Sequence, residues 1–258
     1  MAARPFTAMT ALLYGATSGI ALEIAAQLAE AGVPRLVLVG RDAGRGAAAI
    51  ATVVARAPGA VVMFVTGDAS LGATVAQATD TACALGGIDL LVNAVPGNSA
   101  PRPFTQLDPA QFASLIRLHL DSVLLATHAA LPRMIAAGGG VVITIASDAA
   151  KIPTPGESVH GALMAALVMF SRTLALENAR HAVRVHALTP SLVDDTHSAE
   201  RMMAEPFSAR LFGRARERAA LGLPTPADVA AAALYLASPL AARVTGQVLT
   251  INGGLAIA

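Results

Sequence analysis

Short apolar runs alternate with longer segments of helical spacing along the whole chain. The runs are Ala11–Tyr14, Leu36–Val39, Val61–Val65, Leu90–Val92, Val141–Ile145, Val183–Leu188 and Val248–Ile251. Each is short, rich in β-branched residues and without in–out alternation, which predicts strands buried on both faces. Between them, apolar residues recur at helical intervals over roughly 19–31, 43–56, 70–85, 108–137, 157–180 and 226–237. Asp108-Pro109 and Thr225-Pro226 resemble helix starts, a capping side chain followed by proline in the first turn. Strands alternating with helices imply an α/β architecture, a doubly wound parallel seven-stranded sheet. No linker, repeat or composition shift divides the chain, so 1–258 reads as a single domain. The least regular stretch, 190–225, is rich in charge and methionine and is expected to form a substrate loop or lid.

Composition narrows the partners. Hydrophobic residues make up 55% of the 258 and charged residues 14%, enough apolar matter for a sizeable core. Eighteen basic residues face 17 acidic ones, so no excess charge points to nucleic acid or an anionic membrane. Aromatic residues are 3%, with no tryptophan, which disfavours base-stacking platforms. Cys83 is the only cysteine, which excludes an intrachain disulfide and fits a reducing, cytoplasmic compartment. The mean hydropathy of +0.60 calls for a search for membrane spans. The apolar stretch Gly161–Phe170 is too short to cross a bilayer and is ended by Ser171 and Arg172. The N-terminal apolar stretch imitates an export signal, yet it runs directly into a glycine turn and reads as a buried first strand.

That turn is Tyr14-Gly15-Ala16-Thr17-Ser18-Gly19-Ile20-Ala21, between the first strand and the first helix. Glycine permits a tight turn and close backbone approach, and a helix N-terminus offers free N–H groups to a pyrophosphate. The position, more than the glycines, makes this a Rossmann-like dinucleotide site. The second strand ends at Gly40-Arg41-Asp42. An acid at that strand end would take the ribose hydroxyls of NAD(H). Gly40 with Arg41 instead suits a 2′-phosphate, so NADP(H) is favoured over NAD(H).

With these residues the chain resembles the short-chain dehydrogenase/reductase family over nearly its whole length. Tyr14–Ala21 is similar to the family's TGxxxGIG turn. Asp68, followed by Ala69, falls where the family places an aspartate beside the adenine. Val92-Asn93-Ala94-Val95 resembles the NNAG motif. Ser147 stands where the family has its catalytic serine. Pro190-Ser191 resembles the Pro-Gly near the nicotinamide, and Asn252-Gly253-Gly254 the C-terminal flank. The resemblance implies a hydride-transferring enzyme for a small molecule, assembled as a homotetramer or dimer through two long helices. The stripe Leu163, Leu167 and Phe170 has the spacing of such an interface.

The departures from the family pattern concern the chemistry. Thirteen residues after the serine the family has a tyrosine, and four further on a lysine; here these positions are His160 and Met164. The family's helix asparagine corresponds to His119. Met164 offers neither charge nor donor. Histidine is a competent proton carrier, so Ser147, His160 and His119 are the candidate catalytic set. Asp148, Lys151 and Glu157 follow the serine, and Asp194, Asp195 and His197 follow Pro190; these read as solvated rim charges, and no metal site is expected. No Gly-x-Ser-x-Gly elbow surrounds Ser147, against a hydrolase. The preferred reading is an NADP(H)-dependent oxidoreductase of atypical site, reducing an activated C=C or carbonyl of a hydrophobic acyl thioester or biosynthetic intermediate. Two others stay open: a non-redox isomerase, dehydratase or cyclase using histidine acid–base chemistry, and a non-catalytic binding subunit.

Overall fold

The computed structural model describes residues 4–95 and 100–256. All seven expected strands form: β1 (Thr10–Tyr14), β2 (Arg35–Gly40), β3 (Val61–Thr66), β4 (Leu90–Asn93), β5 (Gly140–Ile145), β6 (Val183–Pro190) and β7 (Val248–Ile251). They make one parallel sheet in the order β3-β2-β1-β4-β5-β6-β7. The order reverses between β1 and β4, and there the carboxyl ends of the strands open a crevice.

The helices are α1 (Gly19–Glu30), α2 (Ala43–Arg56), α3 (Gly72–Ala84), α4 (Phe112–Ile116), α5 (Ser122–Ala136), α6 (Ser158–Asn178), α7 (His197–Ala204), α8 (Pro206–Arg218) and α9 (Pro226–Ala237). Alternate residues of β1 feed two cores. Ala11 and Leu13 join Ile24 and Leu28 of α1 and Val229 and Leu236 of α9 on one face. Leu12 and Tyr14 join Val75 of α3 and Ala126 and Met134 of α5 on the other. Each fully buried leucine contributes about 2 kcal/mol of apolar burial, so the central strand is fixed from both sides. At the edge, β3 departs from the expected double burial: Val61 and Met63 are about half exposed, and only Val65, at the carboxyl end of the same face, is buried against α3.

Three further expectations are corrected. The helix expected over 108–137 is broken into a 3-10 turn (Pro109–Gln111), α4, a π-turn over Arg117–Asp121, and α5. The stretch expected to be irregular, 190–225, holds two helices, α7 and α8. Thr196 starts the first, its Oγ1 accepting from the Ala199 amide at 3.1 Å. Pro206 starts the second. Finally, Ser158–His181 is long and apolar enough to cross a membrane by length and composition, with a mean hydropathy of 1.5. In the fold it packs against β6 and buries Leu163, Met164, Leu167 and Leu174.

Arg184 of β6 is buried among the last carbonyls of α9. Its guanidinium donates to Ala237 O at 3.1 Å, Ser238 O at 3.3 Å and Ala241 O at 3.1 Å, and also to Leu236 O. A cation at a helix C-terminus satisfies orphan carbonyls and opposes the dipole. Two residues on, His186 is fully buried, and neither ring nitrogen has a hydrogen-bond partner among the described residues.

Candidate active site

Every sequence-derived candidate lines one cleft of about 810 Å³ at the carboxyl ends of the strands. At one end lie Gly15, Thr17, Ser18, Gly19 and Ile20, with Arg41, Asp68 and Ala69 beside them; Asn93, Ala94 and Pro190 follow, and Ser147, His119 and His160 lie at the other.

The cofactor end is sterically specified. Gly15 has φ +75°, and a Cβ there would run into the carbonyl oxygen of Ala94 at the end of β4. A Cβ on Gly40 would stand 2.5 Å from Thr17 Cγ2, so the missing acid is also a missing side chain. The turn is thus a cradle that any larger residue would fill, as a pyrophosphate site requires. Asp68 accepts from the amide and hydroxyl of Ser70, both at 2.8 Å, and these bonds hold its carboxyl below the usual range. Arg41 and Arg117 add to that shift. Asn93 donates to Thr127 Oγ1 at 3.2 Å, which leaves its Oδ1 buried without a partner among the described residues. Ser191 Oγ is likewise orphaned, and both residues line the cleft. Unmet buried acceptors and donors beside a glycine cradle fit a polar cofactor.

The other end is built differently. Ser147 Oγ accepts from the Ala149 amide at 3.2 Å, capping a short 3-10 turn, which leaves its hydroxyl proton for a ligand. His119 sits inside the π-turn, 4% exposed. Its ring meets that of His160 edge-on, with centroids 5.4 Å apart. Burial lowers the pKa of both rings; His160 falls to about 4, with His119 contributing. A group with that pKa keeps only about one ring in a thousand protonated at pH 7. His160 therefore works as a neutral acceptor or relay at that pH. Met164 fills the lysine position as part of an apolar cluster with Leu163, Leu167 and Val123.

The two tyrosines and the one lysine of the sequence lie outside the cleft. Tyr14 is buried in the second core, and Tyr235 is 47% exposed on α9; neither lines the cleft. Lys151 donates to Thr250 Oγ1 on β7 and does not line the cleft either.

Two of the residues read as solvated rim charges are not solvated. Asp148 is 8% exposed and Glu157 is half-buried, and both line the cleft. Burial raises the Asp148 carboxyl to about 6. It raises that of Glu157 to about 7, with the charge of Asp148 adding to it. Glu157 and His160 stand three apart at the start of α6, one helical turn, which was the signal available in the sequence. Asp194 and His197 do remain at the rim, paired with Arg216 at 2.6 Å and Glu200 at 3.0 Å. Thr196 was missed: a Cβ on Gly19 would lie 3.6 Å from its Cγ2, so the root of α7 closes over the glycine turn. Its signal was an N-cap threonine ahead of a short amphipathic stretch.

Residues 15–256 match the family described as Enoyl-(Acyl carrier protein) reductase. The chain belongs to the short-chain dehydrogenase/reductase family. It is 31% identical over 250 residues to galactitol 2-dehydrogenase (L-tagatose-forming) of Cereibacter sphaeroides, covering 96% of this chain and 94% of that one. Among solved structures it resembles 3-ketoacyl-(acyl-carrier-protein) reductase of Brucella melitensis complexed with NADH. That match has a TM-score of 0.85 and 28% identity, covering 98% of this chain and all of the other. It also resembles an NADPH-bound short chain oxidoreductase of Pseudomonas aeruginosa PAO1 described as containing an atypical catalytic center. There the TM-score is 0.88 and the identity 26%, with 98% of each chain covered. Short-chain dehydrogenase/reductase membership agrees with the strand order and with the crevice where the candidates gather.

Proposed function

We propose that the chain is an NADP(H)-dependent oxidoreductase of a hydrophobic small molecule, with an altered proton-handling group. The observation that carries this reading is the pairing of Arg41 with Gly40 in the same cleft as the glycine turn. A guanidinium there suits a 2′-phosphate, and no acid stands at the strand end to prefer a free ribose hydroxyl. The amides at the start of α1 would hold the pyrophosphate, Asp68 and Ala69 the adenine, and Asn93 Oδ1 and Ser191 Oγ polar groups nearer the nicotinamide. When bound, the dinucleotide gives or takes a hydride. Ser147 would donate to a substrate oxygen, while His160 and His119 relay protons as neutral rings. Helices α7 and α8, with Met202, Leu211 and Phe212 facing the cleft, form an apolar lid over it.

The enzyme is further proposed to be cytoplasmic and to assemble as a dimer or tetramer. The apolar stripe read from the sequence faces inward, with Leu163 and Leu167 buried against the sheet. The exposed face carries Leu124 and Leu125 of α5 and Met169 and Leu176 of α6 instead, the last 82% exposed. Gel filtration tests this; a monomer overturns it.

Calorimetry with NADPH and NADH tests the cofactor assignment. Tight NADPH binding with weak NADH binding supports it, and no heat with either overturns it. A second reading, acid–base chemistry with the cofactor unchanged, is favoured by carboxyl groups that titrate near neutrality. It requires substrate conversion with constant nicotinamide absorbance.

A further inference from the structure

The buried end of the cleft offers more to a cation than to a carbonyl. Hydride addition to a C=O leaves an alkoxide, which needs a proton donor or a cation beside it. Here the family's phenol position is an imidazole that stays neutral, and its ammonium position is a buried thioether. The ionisable groups that replace them are carboxyls. Asp148 accepts from Asn252 and feels the charge of Lys151, whereas the Glu157 side chain has no hydrogen-bond or ion-pair partner among the described residues and is the carboxyl left for a ligand's charge. His119, 4% exposed, also lines this end, its ring without a hydrogen-bond partner among the described residues. Arginines line the cleft as well, but Arg41, Arg45, Arg201, Arg214 and Arg218 are all exposed, on the adenosine side or the lid. What reaches the floor meets carboxyls, the Ser147 hydroxyl, imidazoles of lowered pKa and apolar walls, with the Lys151 ammonium outside the cleft and close enough to Asp148 to lower its pKa.

Resting on the oxidoreductase reading above, we infer that the substrate carries a cationic nitrogen at its reacting carbon: an imine or iminium, seated with its nitrogen toward Glu157 and Asp148. The balance of the step suits the floor. The iminium carbon gains a hydride from the reduced dinucleotide, the C=N π pair becomes the nitrogen lone pair, and the product is an amine. No proton is consumed, so neither phenol nor ammonium is required. A lysine at position 164 would repel such a substrate, and methionine does not. Glu157 and Asp148 act here by holding the cation, since their attraction weakens as the charge is lost; they select the substrate rather than accelerate the transfer. With a neutral imine, the proton of Glu157 supplies the N–H, and the same hydride step follows.

The probe pair is N-methyl-dihydroisoquinolinium and α-tetralone, which share a ring shape and differ in charge. Calorimetry on the NADP⁺-loaded protein is expected to show the cation binding at least about tenfold tighter than the ketone. Glu157→Gln is expected to weaken cation binding about thirtyfold and leave the ketone unaffected, the low end of the loss for one member of a buried charge pair. With NADPH, the cation is expected to be reduced with saturation. Equal or better binding of the ketone overturns the inference, as does unchanged cation binding in a folded Glu157→Gln or Asp148→Asn. Cation binding without NADPH oxidation overturns it too. In each of these cases NADPH binding leaves the oxidoreductase reading standing; failure to bind NADPH removes both.

Discussion

The two ends of the cleft differ in what holds their residues in place. At the cofactor end the constraint is space. Gly15 and Gly40 are set by a carbonyl and a methyl that leave no room for a side chain, and Thr196 closes over the same turn. At the substrate end the constraint is chemistry. An imidazole, a thioether, a buried carboxyl and a half-buried one stand around the β5–α6 connection. Backbone geometry that cradles a phosphate tolerates little substitution, whereas side chains on a rigid helix can be replaced without moving the helix.

The largest expected effect comes from breaking the spatial half. Gly15→Val should weaken NADPH binding by more than about a hundredfold, from the steric clash and the strained positive φ. Ser147→Ala, at the other end, should change NADPH affinity by less than about threefold. Calorimetry on both variants checks the contrast. Next, His160→Tyr with Met164→Lys should raise NADPH-dependent reduction of a simple ketone about a hundredfold over the parent, within the usual range for a general acid. No gain would mean that the frame itself has shifted. Smaller is Arg41→Ala, which should cost NADPH about tenfold in affinity and leave NADH unaffected.

A separate effect, on folding rather than on binding, is a dependence of stability on pH. In the fold, Glu157 and Asp148 keep their protons to about 7 and about 6, whereas unfolded carboxyls release them near pH 4. The folded chain binds more protons in that window, so their contribution falls as pH rises through it. Glu157→Gln should therefore be about 2 kcal/mol more stable than the parent at about pH 8 and equal to it at about pH 4. His160 and His186, both lowered to about 4, act in the opposite direction: the unfolded chain takes up their protons first as pH falls below about 6.5. Urea denaturation across that range checks both.

The sheet was legible because its strands are short, unalternating and punctuated by turns; each run lies within a residue or two of the observed element. The cleft was legible because turn, Arg41, Asp68, Asn93 and Ser147 follow successive strands, and parallel strands bring their carboxyl ends together. Burial of charge was not. Glu157 looks like a surface residue beside Ser158 in one dimension, and only the closeness of α6 to the turn after Ser147 shows otherwise. The break in the helix over 108–137 was also hidden, since no glycine marks a π-turn there, and Leu118-His119-Leu120 fits an ordinary helix equally well.

That π-turn has a genetic corollary. It holds one residue more than a regular helix needs, so loss of a single codon between Arg117 and Asp121 would let the backbone anneal into ordinary α-helix. Five residues of π-turn and four of α-helix sweep nearly the same angle, so such a deletion would keep the flanking residues in phase. What the extra residue changes is local, the aim of His119 within the turn, so this short stretch can gain or lose a residue without turning the helix on either side.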